Sequence, residues 1–121
     1  MPPMSREEII EQFRQSFTSR SLRSGFLKIA ILKLVSERPM HGYALMKEIE
    51  RITGMSWKPS PGSIYPTLQE LQDAGLVAQR EEGRKRVYEL TPHGAEVLAA
   101  ALEQVRAAIV TLQNLIEYRY E

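Results

Sequence analysis

Three consecutive cationic side chains, Arg84, Lys85 and Arg86, follow directly after Gly83. A glycine between two short apolar stretches is typical of a β-hairpin turn. Cations at the tip of a projecting hairpin can reach DNA phosphates or a narrow minor groove. The alternative is a charged hairpin that resists edge-to-edge aggregation and binds nothing. The triplet by itself leaves both interpretations open.

The stretch 60–69 contains no acidic side chain and is rich in hydroxyl groups. Ser60 as a cap and Pro61 at the first position predict a helix start, and Glu70 and Asp73 follow only in its second half. In helix-turn-helix proteins the N-terminal part of the second helix enters the major groove. The stretch therefore suits a DNA-facing helix, although an ordinary amphipathic helix has the same periodicity. The candidate contacts on and just before this helix are Lys58, Ser60, Ser63, Tyr65, Pro66, Thr67 and Gln69.

Direct reading of bases by this helix is limited. No Arg, Lys or Asn occurs between Ser60 and Asp73, and we expect bidentate base recognition on this helix to be limited to Gln69. We therefore expect DNA shape, half-site spacing and apolar contacts from Pro66 and the Thr67 methyl group to supply much of the specificity.

Catalytic and metal-binding chemistry has little support in the sequence. The chain has no cysteine, which excludes disulfides, thiolate metal sites and a cysteine nucleophile. The two histidines, His41 and His93, lie in separate elements and have no carboxylates at ligand spacing. No Gly-rich phosphate loop or nucleophile elbow is present. We predict a protein without catalytic residues, bound metal or cofactors.

The 121-residue chain carries a formal charge of +1, but this charge is unevenly distributed. Residues 1–90 hold 14 basic and 11 acidic side chains, whereas residues 91–121 hold Arg106 and Arg119 against four glutamates. A cationic first part is compatible with local DNA binding despite the near-neutral sum. The sequence has no signal-peptide pattern and no apolar stretch of spanning length, so we expect a soluble cytoplasmic protein without a membrane partner.

Hydrophobic periodicity predicts five helices and one hairpin. Ser5 and Glu8 form a capping-box pattern before the first helix, and Thr91 with Pro92 starts the last one. The helix at 25–37 is apolar around almost its whole circumference, so we expect one face to meet the core and another to meet a partner chain. The predicted helices span 5–18, 25–37, 41–53, 60–74 and 91–118, and the predicted strands span 76–81 and 86–90.

Three short helices followed at once by a hairpin define a winged helix-turn-helix, in which the hairpin is the wing. The predicted fold class is mainly α with a small β-hairpin: a winged helix-turn-helix plus a long C-terminal dimerisation helix. We divide the chain into an N-terminal extension with one helix (1–24), the DNA-binding domain (25–90) and the dimerisation helix (91–121).

Apolar residues on the last helix recur at intervals of four and three, which is the heptad pattern of a coiled coil. β-Branched residues at two of three a positions and mostly Leu at d favour two strands. A small domain cannot cover a helix of about 27 residues, roughly 40 Å long, so a homodimer is favoured over packing on its own domain. The predicted dimerisation residues are Phe26, Ile29, Leu98, Leu102, Val105, Ile109, Leu112 and Ile116.

Together, these motifs resemble the PadR family of bacterial and archaeal transcription factors over residues 25–98. The most specific part is Gly62-Ser-Ile-Tyr-Pro66 followed by the wing Gly83-Arg-Lys-Arg-Val-Tyr-Glu-Leu-Thr91. Three further runs agree with it: Leu27-Lys-Ile-Ala-Ile-Leu-Lys-Leu34, His41-Gly-Tyr-Ala-Leu45 and Leu71-Gln-Asp-Ala-Gly-Leu-Val77.

The resemblance implies a homodimeric repressor that binds double-stranded DNA at a palindromic operator through its recognition helices and wings. It also implies dimerisation through the C-terminal helix and the first helix of the winged domain. Some members release DNA when a small aromatic or planar cationic compound binds between the subunits, so such a ligand is a candidate signal. The family's DNA-facing positions are matched here by Tyr43, Ser60, Ser63, Tyr65 and Thr67.

Two departures from the family pattern leave questions open. The helix at 5–18 lies outside the shared region and could brace the partner chain or bring Arg20 and Arg23 to DNA. The last helix contains no Trp, so a ligand pocket floored by such a residue is not expected, and Trp57 is interpreted as a packing residue. The competing functions are a dimeric winged-helix module for protein interaction or for drug sensing, without operator binding.

Overall fold

The computed structural model describes residues 3–17, 20–55 and 57–120, and the side chains of these residues other than 20 and 21. The predicted mainly α winged helix-turn-helix class is confirmed. In chain order the elements are α1 (Arg6–Phe17), α2 (Arg20–Glu37), β1 (Met40–His41), α3 (Gly42–Ile52), α4 (Pro61–Asp73), β2 (Val77–Glu82), β3 (Lys85–Leu90) and α5 (Pro92–Ile116).

Helix α2 begins at Arg20 rather than at the predicted Gly25. The gap predicted between the helices at 5–18 and 25–37 is therefore wrong over residues 20–24, while residues 18 and 19 lie outside the described part of the chain. Ser and Gly disfavour a helix by only about 0.5–1 kcal/mol each. Leu22 stands one turn before Phe26, so the apolar pattern of α2 extends past these weak breakers. The predicted boundary between the N-terminal extension (1–24) and the DNA-binding domain (25–90) falls inside α2.

The sheet has three strands and not the two of the predicted hairpin. β1 pairs antiparallel with β3, where Met40 stands opposite Tyr88, and the strand order is β1-β3-β2. His41 accordingly belongs to the sheet, α3 starts one residue later than predicted, and the His41 side chain makes no capping hydrogen bond. A strand of two residues is too short to show the alternation by which strands are recognised in a sequence.

The wing is tighter than predicted. β2 and β3 pair without interruption from Val77 opposite Leu90 to Glu82 opposite Lys85. The loop expected at 82–85 is reduced to Gly83 and Arg84, because Glu82 belongs to β2 and Lys85 to β3. Gly83 has a φ of 64°, a left-handed conformation that glycine adopts at little cost.

The hydrophobic core lies between α2, α3, α4, the sheet and the first turns of α5. α1, whose residues are all described, contributes no buried residue. Burial of large aliphatic side chains from all of the other helices is the main term that stabilises the winged domain. Its buried members are Leu27, Ala30, Ile31, Leu32, Val35, Met40, Leu45, Ile49, Ile64, Leu68, Leu71, Val77, Tyr88 and Leu98.

The start of α5 is locked onto the turn that ends α4. The Thr91 N–H donates to the Leu76 carbonyl oxygen at 3.1 Å, and the Thr91 hydroxyl donates to the Gly75 carbonyl oxygen at 2.6 Å. The Thr91 Oγ1 also accepts from the Gly94 N–H at 2.9 Å, which confirms the predicted cap. A Cβ on Gly94 would lie 2.0 Å from the Leu76 carbonyl oxygen, inside van der Waals contact. This contact, called the α4–α5 joint below, requires glycine.

The other predicted helix ends are only partly confirmed. The Ser5 hydroxyl caps α1 by accepting from the Glu8 N–H at 3.1 Å. Ser60 occupies the N-cap position of α4, but its side chain makes no capping bond; its Oγ lies 3.2 Å from the Ser63 Oγ. α5 ends at Ile116, slightly before the predicted residue 118. Over residues 3–17, 20–55 and 57–120, no helix has both the length and the apolarity needed to cross a membrane.

The α4–α5 joint predicts opposite effects for two glycine substitutions. Gly94→Ala forces a methyl group against the backbone and should lower the free energy of unfolding by about 2–3 kcal/mol. Gly25→Ala is the matched control: no described atom lies within 4 Å of the added carbon inside α2, so the variant should gain about 0.5–1 kcal/mol. Urea denaturation measures the free energy of unfolding of both variants. Equal changes in the two variants would contradict the requirement for glycine at the α4–α5 joint.

Candidate nucleic-acid interface

One open groove of about 560 Å³ lies where the start of α3, the first half of α4 and the wing meet. Among the residues that the structure describes, its lining includes aromatic and basic side chains and no carboxylate, which suits an anionic partner. Five of the predicted contacts come together here: Tyr43, Tyr65, Arg84, Lys85 and Arg86. The lining is completed by His41, Gly42, Ala44 and Tyr88.

Tyr65 lines this groove, and Gly42 leaves room for its ring. A Cβ on Gly42 would lie 2.7 Å from the ring edge. The ring still remains 45% exposed and is therefore open to a ligand. Beneath it, burial raises the pKa of the Tyr88 hydroxyl, and the neighbouring Tyr65 raises it further. The Tyr88 hydroxyl is therefore protonated and neutral at physiological pH.

Tyr43 projects from the first turn of α3 and is 64% exposed. The Lys47 ammonium stands 5.6 Å from the centroid of its ring, at cation–π distance. Lys47 was not among the predicted contacts. Its spacing of one helical turn from Tyr43, away from the buried Leu45 and Ile49, is the signal that could have identified it.

A second groove, of about 490 Å³, lies on the other side of α4. Ser63, Pro66 and Thr67 line it from α4, facing Arg23 of α2 and Trp57 of the connector. Arg23 thus lies beside the predicted recognition helix, and its contact with DNA stays a prediction. The Arg20 side chain is outside the described part of the structure. The two grooves flank α4 and leave the ridge between them exposed.

Internal hydrogen bonds occupy several polar groups of α4. The Thr67 hydroxyl donates to the Ser63 carbonyl oxygen at 2.8 Å, and the Gln69 amide donates to Asp73 Oδ1 at 2.9 Å. Gln69 is the side chain predicted to recognise a base. Its amide must break the hydrogen bond to Asp73 before it can bind a base through two hydrogen bonds. This agrees with the expectation that DNA shape, half-site spacing and apolar contacts from Pro66 and the Thr67 methyl group supply much of the specificity, which stays a prediction.

The wing tip carries its cations in an exposed position. In the strand register Lys85 stands opposite Glu82 and Arg86 opposite Glu81, whereas Arg84 lies in the turn and has no carboxylate opposite it. Over the described residues, none of the three cations forms an ion pair. They are therefore available to phosphates, and Arg84 has the least competition.

Acidic charge elsewhere on the wing is partly neutralised within it. Arg80 lies 3.3 Å from Glu82 and 3.2 Å from Glu89, measured between guanidinium nitrogens and carboxylate oxygens. Lys58 is exposed on the connector before α4 but lines neither groove. The cationic surface is therefore concentrated at the wing tip, with Lys58 as an isolated charge.

The predicted dimerisation residues fall into two groups. Leu98 is buried in the core of its own domain, and Leu102 and Ile29 are half-buried. Phe26 is exposed and its ring centroid lies 5.6 Å from that of Trp57, which agrees with a packing role for the tryptophan. The outer seam residues are exposed and form an apolar ridge on the projecting half of α5. They are Val105, Ile109, Leu112 and Ile116.

No catalytic constellation emerges from the described side chains. His41 Nδ1 lies 3.3 Å from the Arg86 carbonyl oxygen, and His93 Nδ1 lies 3.9 Å from a carboxylate oxygen of Glu96. Within the described part of the chain, no three His, Cys, Asp or Glu side chains are grouped so that they could hold a metal ion.

Three helices packed on a small sheet, with an exposed basic wing after the second helix of a helix-turn-helix, define a winged helix-turn-helix protein of the DNA-binding class. Residues 31–100 match the family described as the transcriptional regulator PadR-like family. The chain belongs to this family, whose members are transcriptional regulators and not enzymes.

Similar proteins support the same assignment. The transcriptional regulator YqjI of Escherichia coli (strain K12) is 46% identical over 82 residues, 67% of this chain and 40% of its own length. The transcriptional regulator Rv3488 of Mycobacterium tuberculosis is 33% identical over 97 residues, 77% of this chain and 84% of its own. The solved structure of the PadR-like regulator BC4206 of Bacillus cereus superimposes with a TM-score of 0.73 at 27% identity, covering 84% of this chain and 100% of that one. The chain thus spans less than half of YqjI.

The wing predicts a measurable salt effect. Arg84→Ala combined with Arg86→Ala should weaken DNA binding and reduce the slope of log K against log salt by about 0.9 for each phosphate that the protein no longer neutralises. Lys33→Ala with Arg51→Ala is the matched control, because it removes the same charge from cations paired locally with Glu37 and Glu48. Filter-binding titrations over a range of salt concentrations measure both slopes. An unchanged slope in the wing variant would rule out its contact with DNA.

Proposed function

We propose that the chain acts in the cytoplasm as a homodimer that binds a palindromic DNA operator and represses the neighbouring genes. The observation that carries this proposal is the convergence of Tyr43, Tyr65 and the wing cations on one groove beside α4, whose described lining is free of carboxylates. An anionic polymer is the partner that such a surface favours. The family membership of the chain agrees with it.

On DNA, the first half of α4 lies in the major groove, with its N-terminus towards the phosphates. The wing then reaches the flanking backbone with Arg84, while Lys47 and Arg23 stand on the two sides of the helix. Contacts to phosphates supply most of the affinity. Because Gln69 is hydrogen-bonded to Asp73, the sequence preference comes mainly from DNA shape and from the spacing of the two half-sites.

Dimerisation follows from the exposed ridge on α5. Four large apolar side chains at heptad spacing are unfavourable in water, and a second copy covers them through a two-fold contact. Such a dimer presents two copies of α4 to one face of the DNA, about 34 Å apart, and so requires an inverted repeat. Repression then results when the bound dimer occupies DNA that polymerase needs.

A gel-shift with the DNA upstream of the protein's own gene tests the proposal as a whole. The expected result is a discrete complex that survives excess unrelated DNA. Binding no tighter than to unrelated DNA would instead support a winged-helix module that contacts another protein.

The dimer is tested separately by a charge placed on the ridge. Ile109→Glu puts a carboxylate at the centre of the seam, where burial without a partner is costly, so the variant should sediment as a monomer of 13.8 kDa. Asn114→Glu introduces the same charge on the opposite side of α5 and should remain dimeric. If Ile109→Glu remains dimeric, the dimer does not form through the heptad residues of α5.

A small aromatic ligand is proposed as the signal that releases DNA. A groove of about 450 Å³ beside Trp57 is lined by Phe17, Leu22 and Phe26 together with Arg14 and Arg23. Arg14 is paired with Glu11 at 2.6 Å, so the Arg23 guanidinium is the group that favours a neutral or anionic aromatic compound over a cationic one. Trp57 is the one tryptophan in the chain, so its fluorescence reports the site directly. Titration with benzoate should quench the emission, and an unchanged spectrum up to millimolar concentrations would contradict the site.

A further inference from the structure

Helix α1 is amphipathic, but no other described part of the chain covers its apolar side. Ile9, Ile10, Phe13 and Phe17 share one face, and all four are exposed; the Phe13 side chain is 63% accessible. The opposite face carries polar residues such as Gln15. An isolated helix of 12 residues is marginal in water, because tertiary packing supplies most of a helix's stability. A stable α1 therefore needs an apolar surface to lie on.

α5 has an apolar flank wider than a two-stranded contact requires. Beside the heptad seam, Val97, Ala101, Ala108 and Leu115 widen the apolar arc to about 140° at 100° per residue. A two-stranded coiled coil buries only the narrower a/d stripe. The first two flank residues are half-buried by their own domain, whereas Ala108 and Leu115 are exposed, Leu115 to 71%.

We propose that α1 of one protomer packs on the Ala108–Leu115 flank of α5 in the second protomer, and reciprocally. This inference rests on the proposed dimer and adds a second, exchanged contact to it. Each chain carries two uncovered apolar surfaces, the face of α1 and the flank of α5. In a two-fold dimer each α1 face covers the partner's α5 flank, so neither surface stays exposed. The short side chain of Ala108 leaves space beside Leu115 for a phenylalanine ring.

The apolar surface is also continuous between α1 and the proposed dimer interface. α2 follows α1 with Leu22 and Phe26 exposed one turn apart, and Phe26 is itself a predicted dimerisation residue. Phe17 at the end of α1 lines one groove with Leu22 and Phe26, so the face of α1 adjoins a residue of the proposed dimer interface. When α1 packs on the partner's α5, the α1 and α5 helices of the two protomers form one four-helix arrangement.

The absence of cysteine makes a cross-linking test direct. Chains carrying Ile10→Cys are mixed with size-tagged chains carrying Ala108→Cys, allowed to exchange subunits, and oxidised mildly. The expected result is a disulfide-linked heterodimer, identified by its mobility, forming at least tenfold faster than in two controls. The controls replace Ile10→Cys by Gln15→Cys on the polar face of α1, or Ala108→Cys by Ala107→Cys outside the flank.

The outcomes separate this inference from the dimer itself. Sedimentation of each reduced variant first establishes whether the protein is dimeric, and a monomeric wild-type protein would contradict the proposed function. A dimer in which the heterodimeric link forms no faster than in the controls would overturn the α1 contact alone. So would rapid intramolecular closure in one chain carrying both cysteines, because α1 would then lie on its own α5.

Discussion

The arrangement of the molecule depends on the contact between Gly94 and the Leu76 carbonyl oxygen. Two hydrogen bonds from Thr91 and one to its hydroxyl oxygen hold the first turn of α5 against the turn after α4. The end of α4, the base of the wing and the start of α5 all lie within these few residues. These contacts connect the proposed DNA-facing elements directly to the proposed dimerisation helix, so in the proposed dimer the joint sets the distance between the two recognition helices.

The proposed DNA surface combines fixed and adjustable parts. The Tyr65 ring lies against Gly42, which has no side chain to displace it, and the Lys28–Glu70 ion pair at 2.9 Å connects α4 to α2. The long basic side chains of the wing are exposed and can adapt to the DNA backbone. A rigid helix with few free base-reading groups, flanked by flexible cations, is suited to recognising the shape and spacing of an operator more than individual bases.

Most of this architecture could be predicted because the signals were strong and local. Ser5 and Thr91 act as the caps their positions indicated, and Gly83 forms the turn of a basic wing. The errors concern weak or non-local signals. β1 consists of two residues and exists because the edge of β3 offers it hydrogen-bond partners. The start of α2 was misplaced because Ser24 and Gly25 only weakly oppose a helix that Leu22 and Phe26 continue. The nearness of Gly94 to Leu76 and of Gly42 to Tyr65 depends on the tertiary packing, which no periodicity reveals.

In the proposed complex, the joint places two copies of α4 one helical turn apart on DNA. Selection of bound duplexes from a pool of random sequence, followed by sequencing, is the most direct test of this placement. We expect an inverted repeat whose half-site centres are about 10 base pairs apart, with preferences that extend into the flanks reached by the wings. Enrichment of a single unpaired motif, or of no motif at all, would contradict this geometry.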